Sequence, residues 1–287
     1  MKTKLANIKK AKKLLNISEC VAIPTETVYG LAGNAYSDKA CKKIFKLKKR
    51  PKNNPLIVHY YNHHDLRKDC NFNNDFLKLY KKFCPGPITF ILDLKKNSKI
   101  STFVTNNKKT LAVRFPKHSL TRNLLKKLNF PLAAPSANLN KKVSAVCSSD
   151  VKEDFGNKIK YVLDGGISAI GVESTIIDLR KKPIILRLGG LDISNIKKIL
   201  KKKIGIKNNP TKISAPGQFK LHYSPGIPIR LNVKKIKNNE ALILFKKRDN
   251  SKSNYYFLSK NGNLKEAAKN LYSTLRKIKK NKYTSIA

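Results

Sequence analysis

Apolar residues in the first two-thirds of the chain alternate between helical spacing and short continuous runs. Positions that recur three and four residues apart predict amphipathic helices, which we expect over residues 7–16, 38–45, 76–83, 120–128 and 193–200. Asp38 is the expected cap of the second of these helices. Apolar runs predict strands at 20–23, 56–58, 88–94, 111–115, 131–134, 161–163, 175–179 and 184–188. Because several runs are apolar throughout, they favour an α/β fold whose sheet is covered on both faces.

The chain changes character after residue 200. Residues 201–210 are polar and lysine-rich, which indicates a linker, and the two Pro-Gly steps within 214–228 favour a structured loop. Beyond them the apolar pattern predicts a strand at 241–245, an amphipathic helix over 264–278 and the start of a strand at 283–287. We therefore expect three parts: a main domain at 5–205, a linker loop at 206–228 and a small α/β unit at 229–287.

The net charge is extreme, at +45 from 62 basic and 17 acidic residues. Such a charge is typical of proteins that bind nucleic acid or other polyanions. Only nine of the basic residues are arginines, however, and the lysines are spread along the whole chain. RNA-binding surfaces usually cluster arginines with exposed aromatic residues. The high charge is therefore better explained by a generally lysine-rich composition than by a dedicated RNA-binding surface. A surface this basic would still attract RNA or a polyphosphate.

The cysteine and histidine positions predict no metal site. Five cysteines occur without a Cys-x-x-Cys pair, and five histidines are scattered, so neither a disulfide framework nor a zinc cluster is expected. No run of about 18 apolar residues predicts a membrane span, and the N-terminus lacks the apolar stretch of a secretory signal. We expect the chain in a reducing compartment, the cytoplasm.

Four segments carry polar residues that local structure does not require: 24–30, 48–59, 135–138, and 171–175 together with Arg187. Taken singly, each has an ordinary explanation as a turn, a helix cap or a cation at a helix C-terminus. Some of them directly follow predicted strands, where open α/β sheets bind ligands. No Walker loop, G-x-G-x-x-G, H-E-x-x-H or G-x-S-x-G motif occurs. These segments therefore indicate a site of another kind.

Together these segments resemble the YrdC-like threonylcarbamoyl-AMP synthase family over about residues 5–205. The resemblance rests on the order and spacing of PTETVYGLAGNA, the K-x-R step Lys48-Lys49-Arg50, RPKNNPLIVH, CPGPITFIL, TLAVRFP, APSAN, LDGG, GVESTIIDL and ILRLGG. Residues 214–225 are similar to the interdomain linker of the longer, two-domain members, which folds back over the active-site cleft. The resemblance implies a twisted mixed sheet with helices around a central cleft, followed by a truncated C-terminal α/β unit.

The function that the resemblance implies is L-threonylcarbamoyladenylate synthesis, a nucleotidyltransferase reaction. Its substrates would be L-threonine, bicarbonate and ATP, with Mg²⁺ carried in on the ATP. Its products would be pyrophosphate and threonylcarbamoyl-AMP, which a downstream threonylcarbamoyl transferase would use to modify tRNA next to the anticodon.

Such chemistry needs positioning and positive charge more than a covalent nucleophile. Lys48 and Arg50 suit that role, and Ser136 and Asn138 can donate hydrogen bonds to phosphates from the facing wall. The resemblance implies that ATP is contacted by Arg50, Asn54, Thr110, Ser136, Ser144, Arg187 and Lys220. It implies that threonine is contacted by Thr27, His59, Arg114, Ala134 and Ser174.

The sequence departs from the family in two places. The C-terminal unit has only about 60 residues, fewer than in the two-domain relatives, so a marginal core is expected there. Lys220 stands where some relatives place a tyrosine that touches the nucleotide. Two other functions stay open: a non-catalytic protein that binds double-stranded RNA or tRNA, and a relative that carbamoylates a different acceptor.

Overall fold

The computed structural model describes residues 2–207, 223–248 and 252–287. The helices in these ranges are α1 (Lys2–Asn16), α2 (Asp38–Lys48), α3 (His63–Leu66), α4 (Asn74–Phe83), α5 (Thr102–Thr105), α6 (Ser119–Lys126), α7 (Ser148–Phe155), α8 (Ile193–Leu200) and α9 (Leu264–Lys280). The strands are β1 (Val21–Ile23), β2 (Gly30–Asn34), β3 (Ile57–His59), β4 (Cys70–Asn71), β5 (Ile88–Leu94), β6 (Thr110–Arg114), β7 (Leu132–Ala133), β8 (Thr175–Asp178), β9 (Ile184–Arg187), β10 (Gly205–Ile206), β11 (Glu240–Lys246), β12 (Tyr255–Ser259) and β13 (Ser285–Ile286).

Strands β1 to β10 form one large mixed sheet. Its order is β1-β2-β7-β3-β6-β5-β8-β9-β10, and β4 pairs with β5. The pairs β3–β6, β5–β8 and β9–β10 are parallel, whereas the remaining neighbours in this sheet are antiparallel. The expected α/β class and mixed sheet are confirmed.

The apolar runs form strands because both faces of the sheet are covered. Every residue of β1 and β3 is buried, as are the first five of β5. On one face Phe76 of α4 packs edge-on against Phe90 of β5, with 4.9 Å between the ring centroids. Burial of one such aromatic side chain stabilises the fold by about 1.5–3 kcal/mol.

Strand β2 was not expected from the sequence, because its residues Gly-Leu-Ala-Gly-Asn have low strand propensity. Its second glycine is explained by packing against α2. A Cβ atom on Gly33 would lie 3.2 Å from Ile44 Cδ1 and 3.3 Å from Ala40 Cβ. A Cβ atom at this position would therefore crowd Ile44 and Ala40, and Gly33 lets α2 pack close to the sheet.

Two local expectations differ from the structure. The cap of α2 is Ser37, whose hydroxyl accepts a hydrogen bond from the Ala40 amide at 3.2 Å, whereas Asp38 is the first residue of the helix. The run at 161–163 makes only an isolated bridge, between Val162 and Ala22. After Leu163 the chain leaves β1, and the Gly166 amide donates to Asp164 Oδ1 at 3.0 Å.

The C-terminal residues form a second, three-stranded sheet in the order β12-β11-β13, with all strands parallel. Strand β13 confirms the strand expected near the end of the chain. Strand β12 was missed, although its run of three aromatic or apolar residues before Leu258 is a strand signal. Helix α9 confirms the predicted amphipathic helix, and its buried side chains include Tyr272, Leu275 and Ile278.

The small sheet and α9 share a hydrophobic cluster with the main part of the molecule. In this cluster Val28, Val143 and Val146 pack with residues of the C-terminal unit, such as Leu275 and Ile286. The marginal core expected for about 60 residues is thus extended by apolar surface from the main domain.

Strand β10 spans the predicted boundary between the main domain and the linker loop, and it pairs with β9. Residues 208–222 lie outside the described residues. The boundaries at 205, 206–228 and 229 stay a prediction. In the ranges that the structure describes, no helix has the length and apolar character needed to cross a bilayer.

Candidate active site

One cavity lies where the ends of β3 and β6 meet the chain after β7. His59 and Arg114, the last residues of β3 and β6, are paired in register, and Leu132 of β7 lies opposite His59. Five of the predicted site residues line this cavity: His59, Arg114, Ala134, Ser136 and Arg187. Glu173 and Tyr223 line it as well, and the cavity volume is about 40 Å³. The sheet therefore brings together segments that are far apart in the chain.

The loop before β2 is shaped by Thr25. Its hydroxyl accepts hydrogen bonds from the amides of Thr27 and Val28, both at 3.2 Å, and donates to the Val28 carbonyl at 2.6 Å. Such side-chain bonds to nearby backbone groups replace those of a helix or sheet. The Thr27 hydroxyl lies 2.9 Å from the Thr25 hydroxyl, so Thr27 is held in this buried turn.

Arg114 forms a buried ion pair with Glu26, with 2.8 Å between Nη2 and Oε1. The other Glu26 oxygen accepts a hydrogen bond from the Lys117 amide at 2.8 Å. Burial by itself would raise the pKa of Glu26, but the charge and hydrogen bond of Arg114, together with backbone hydrogen bonds such as that from Lys117, outweigh it and lower that pKa. The pair is therefore ionised at neutral pH, and the Arg114 Nε atom stays buried without a partner.

His59 lies beside this pair and is only 2% exposed. Burial, with a smaller contribution from the Arg114 charge, lowers its pKa well below the usual value. The imidazole is therefore neutral at pH 7. Its Nδ1 atom is buried and has no partner, so it can donate to or accept from a bound ligand.

Lys48, the last residue of α2, is 2% exposed. Its Nζ donates hydrogen bonds to the Ser136 carbonyl at 2.6 Å and to the Asn138 carbonyl. Burial and the nearby Arg50 charge lower the pKa of this amine well below its usual value. Lys48 thus fastens α2 to the segment after β7. The lysine and that segment form one wall rather than the two facing walls expected from the sequence.

Arg50 lies two residues after Lys48 and is buried. Its Nε donates to the Asn54 carbonyl at 3.1 Å, and its Nη2 donates to Asn54 Oδ1 at 2.5 Å and to the Pro55 carbonyl at 2.9 Å. Burial is the main reason that the pKa of Arg50 falls to about 9, while Tyr223 raises it and Arg187 lowers it. The guanidinium is still charged at neutral pH and is held rigidly.

Asn138 uses its amide to shape the loop after β7. Its Nδ2 donates to the carbonyls of Leu139 and Lys142, each at 2.8 Å. Both amide hydrogens are then engaged by backbone carbonyls of this loop, and the role of Asn138 as a donor to phosphates stays a prediction. Its buried Oδ1 has no partner.

Ser144 and Ser174 are both fully buried next to the cavity. The Ser144 hydroxyl donates to Glu173 Oε1. Arg187 donates to the Ser174 carbonyl at 3.0 Å and to the Ser174 hydroxyl at 3.1 Å, and that hydroxyl lies 2.7 Å from the hydroxyl of Thr89. Both serines are therefore fixed by charged neighbours that line the cavity.

Thr110 lies at the far end of β6 from Arg114. The β3–β6 pairing begins at Ile57 and Ala112, so Thr110 stands two positions before it, on the side of Pro55 and Arg50. Thr110 pairs with Asp93 of β5 and is not among the residues that line this cavity. Lys220 lies outside the described residues.

Buried polar atoms without a partner concentrate at this site. Seven such side-chain atoms occur among the described residues. Four belong to predicted site residues: Asn54 Nδ2, His59 Nδ1, Arg114 Nε and Asn138 Oδ1. Because an unpaired buried polar group costs about 1–3 kcal/mol, this concentration indicates groups kept ready for a ligand.

Sequence reasoning missed Glu26, Glu173 and Tyr223 as residues of the site. A signal was present for the two acids, because the chain has only 17 acidic residues and one stands in each of two polar segments. Tyr223 belongs to the linker-like motif and contacts Arg187 through its hydroxyl, at 3.5 Å.

The part of the chain that the structure describes contains no group of three or more histidine, cysteine, aspartate or glutamate side chains that could hold a metal ion. Glu173 is a cavity carboxylate, but Ser144 and Tyr272 occupy its two oxygens. The other carboxylate of the site, Glu26, is paired with Arg114. These residues do not form a cage for a divalent cation.

Two family models match the chain. The model of Sua5, YciO and YrdC, described as telomere recombination, matches residues 13–189. The model described as the threonylcarbamoyl-AMP synthase C-terminal domain matches residues 191–287.

Among curated proteins, similar relatives are called threonylcarbamoyl-AMP synthase. The Pyrococcus abyssi protein is 38% identical over 231 residues, which cover 77% of this chain and 66% of the relative. The Bacillus subtilis protein is 38% identical over 229 residues, which cover 78% of this chain and 66% of the relative. The chain thus spans about two-thirds of the length of these relatives.

Among solved structures, the chain is similar to Pyrococcus abyssi Sua5 complexed with L-threonine, with a TM-score of 0.89 and 32% identity. That match covers 97% of this chain and 87% of the other. Escherichia coli YciO matches with a TM-score of 0.59 and 20% identity, over 66% of this chain and 92% of the other, which supports the fold alone.

Proposed function

Because the chain belongs to the Sua5/YciO/YrdC family, we propose that it is an L-threonylcarbamoyladenylate synthase. As a nucleotidyltransferase it forms threonylcarbamoyl-AMP and pyrophosphate from L-threonine, bicarbonate and ATP. The product then serves a downstream transferase in the threonylcarbamoyladenosine modification of tRNA.

The observation that carries this proposal is one cavity lined by the fixed cations Arg114 and Arg187, with the unpaired buried atoms His59 Nδ1 and Arg114 Nε at its wall. Arg50, Arg114 and Arg187 are all held by neighbours on the protein. Preorganised charge of this kind stabilises the charge that develops during phosphoryl transfer.

ATP is proposed to lie along the wall made by Arg50, Asn54, Thr110, Ser136, Ser144 and Arg187. The Arg187 charge lowers the pKa of Arg50, so the two guanidinium groups lie near one another, and together they suit a triphosphate.

Threonine is proposed to lie at His59 and Arg114, near Thr27, Ala134 and Ser174. The unpaired Nε of Arg114 can donate to the amino-acid carboxylate, while Glu26 keeps the guanidinium in place. The neutral His59 can hydrogen-bond the threonine hydroxyl. A pocket of this kind rejects an amino acid without the hydroxyl strongly, but it rejects serine by only about 1–3 kcal/mol.

The reaction needs no covalent intermediate with the protein. The threonine nitrogen bonds to the carbon of bicarbonate, and loss of water leaves a carbamate. A carbamate oxygen then bonds to the α-phosphorus while the bond from that phosphorus to the bridging oxygen breaks, and pyrophosphate leaves. The fixed cations orient the two substrates and offset the charge on the phosphates.

Magnesium is proposed to enter with ATP, held mainly by phosphate oxygens and water. It would neutralise part of the triphosphate charge. The cytoplasmic compartment stays a prediction, as does the binding of tRNA to the basic surface. The names of the relatives support the synthase and do not support the non-catalytic RNA-binding alternative. A different carbamoyl acceptor has no observation in its favour.

The test is the mass of the product formed from ATP, threonine and ¹³C-labelled bicarbonate. We expect a labelled threonylcarbamoyl-AMP and stoichiometric pyrophosphate only when all three substrates are present. Pyrophosphate release without threonine would contradict the proposal. Tight RNA binding with no product would instead support the RNA-binding alternative.

A further inference from the structure

Helix α9 of the C-terminal unit lies directly against the cavity wall. Gly171, just before Glu173, approaches the helix so closely that a Cβ atom on it would lie 2.5 Å from Lys269 Cα. Arg276 donates to the Val143 carbonyl, next to Ser144, at 2.7 Å and to Asp154 at 2.8 Å. The helix is thus anchored on both sides of the Ser144–Glu173 contact.

Between these anchors, Tyr272 reaches into the wall. It is 5% exposed, and its hydroxyl donates to Glu173 Oε2 at 2.7 Å. The other oxygen of Glu173 accepts from the Ser144 hydroxyl. Burial and the Glu173 charge both raise the pKa of Tyr272, so the phenol stays protonated and remains a donor.

The ring of Tyr272 makes a second contact with the cavity. It stacks on Tyr223, with 5.7 Å between the ring centroids and 22° between the ring planes. The Tyr223 hydroxyl in turn lies 3.5 Å from Arg187 Nη1. One side chain of the C-terminal unit therefore supports both Glu173 and the aromatic neighbour of Arg187.

We propose that Tyr272 is a positioning residue for the nucleotide: it keeps the Glu173 carboxylate turned toward Ser144 and away from the phosphates. This inference rests on the proposed function. A carboxylate on the wall of a triphosphate site repels the nucleotide unless donors hold and partly neutralise it. Without the phenol, one oxygen of Glu173 has no donor and is free to face the anion. The C-terminal unit thus takes part in nucleotide binding through a single hydroxyl.

The experiment compares the binding of a non-hydrolysable ATP analogue and of threonine, by calorimetry, to the wild-type chain and to Tyr272→Phe. The phenylalanine keeps the ring stacked on Tyr223. We expect the dissociation constant of the analogue to rise about tenfold and that of threonine, which carries no net charge, to change less than twofold. Tyr283→Phe is the matched control, since Tyr283 packs on Tyr256 in the same unit, and it should bind both ligands as the wild type does.

A second variant separates positioning from loss of structure. In Tyr272→Phe, the further change Glu173→Gln removes the negative charge and should restore most of the affinity for the analogue. Equal weakening of both ligands, or no rescue, would overturn the inference in favour of a purely structural role. Unchanged affinity in Tyr272→Phe would overturn it too. A wild-type chain that binds neither ligand would contradict the proposed function itself.

Discussion

At the scale of single residues, the charged side chains of the site form hydrogen bonds and ion pairs within the protein, in addition to the contacts proposed with ligands. Lys48 is the clearest case, because its ammonium bonds two backbone carbonyls. A residue that looks from the sequence like a mobile phosphate-binding charge is, in the fold, also a structural link between α2 and the loop after β7.

Replacing Lys48 should therefore cost stability as well as activity. Lys48→Ala leaves the Ser136 and Asn138 carbonyls without this donor, and we expect a loss of about 1–3 kcal/mol in the free energy of unfolding. Urea denaturation measures it. Lys46→Ala, at an exposed position of the same helix, should change that free energy by less than about 0.5 kcal/mol. Equal unfolding midpoints for the two variants would contradict the structural role.

The Glu26–Arg114 pair predicts how stability depends on pH. Since the fold lowers the pKa of Glu26 from 4.5, the pair stabilises the protein fully above about pH 4.5, and this contribution is lost as the pH falls through the lowered value. Glu26→Gln leaves Arg114 buried without its counter-ion, which should cost about 3–5 kcal/mol at pH 7.

Urea denaturation between pH 7 and pH 3 checks this prediction. The difference in unfolding free energy between the wild type and Glu26→Gln should shrink as the pH is lowered below 4.5, the ordinary pKa of the group. Glu153→Gln serves as the control, because the pair of Glu153 with Lys280 is exposed and contributes little. A difference that stays constant with pH would show that the carboxylate is not the stabilising group.

At the scale of elements, the contact between α9 and the main domain depends on a glycine. Gly171 has φ +79° and faces the helix backbone. A helix can approach another segment this closely only where no Cβ intervenes. Gly171 is thus one position on which the docking of the C-terminal unit depends, beside the apolar cluster and the Arg276 hydrogen bonds.

Gly171→Ala should loosen α9. The substitution combines an unfavourable positive φ with a clash against Lys269 and Ala268, and overpacking of this kind costs about 1–3 kcal/mol. Limited proteolysis should then cut the C-terminal unit faster, and affinity for an ATP analogue should fall. Gly166→Ala is the matched control, because Gly166 has a similar φ of +77° but an added Cβ there would have nothing within 4 Å. If both variants resist protease equally, the clash is unimportant.

At the scale of the whole molecule, the charge of +45 acts at a distance. Attraction between a lysine-rich surface and phosphates is strong at low salt and screened within about 8 Å at physiological ionic strength. It can concentrate ATP and RNA near the protein without specifying either.

Binding of duplex RNA should therefore be sensitive to salt and indifferent to sequence. We expect affinity to fall at least about tenfold between 50 and 200 mM salt, because neutralised phosphates release counterions. Filter binding with two unrelated duplexes checks this, and threonine binding over the same salt range is the control. Tight binding of one sequence at 200 mM would instead indicate a dedicated RNA surface.

Much of the fold could be predicted from local patterns of apolar residues in the sequence. The strands around Val58, Phe90 and Val113 and the helices at α4, α8 and α9 follow from apolar runs and helical spacing, because these patterns act within a few neighbouring residues. Strand β2 was missed because its glycines have low strand propensity and are explained by contacts with separate elements, Gly33 with α2 and Gly30 with the chain at Ala134. A strand was wrongly predicted at 161–163, because the pairing of this segment is limited to one bridge, with Ala22.

The sequence by itself determined the α/β class, the polar segments and the family resemblance, since motif order and spacing are properties of the chain. Only the tertiary structure decided that Lys48 holds the loop carrying Ser136, that Glu26 occupies one side of Arg114, and that Tyr272 closes onto Glu173. Each of these contacts joins residues at least 88 positions apart. Their geometry depends on how the sheet and α9 pack, which no local pattern encodes.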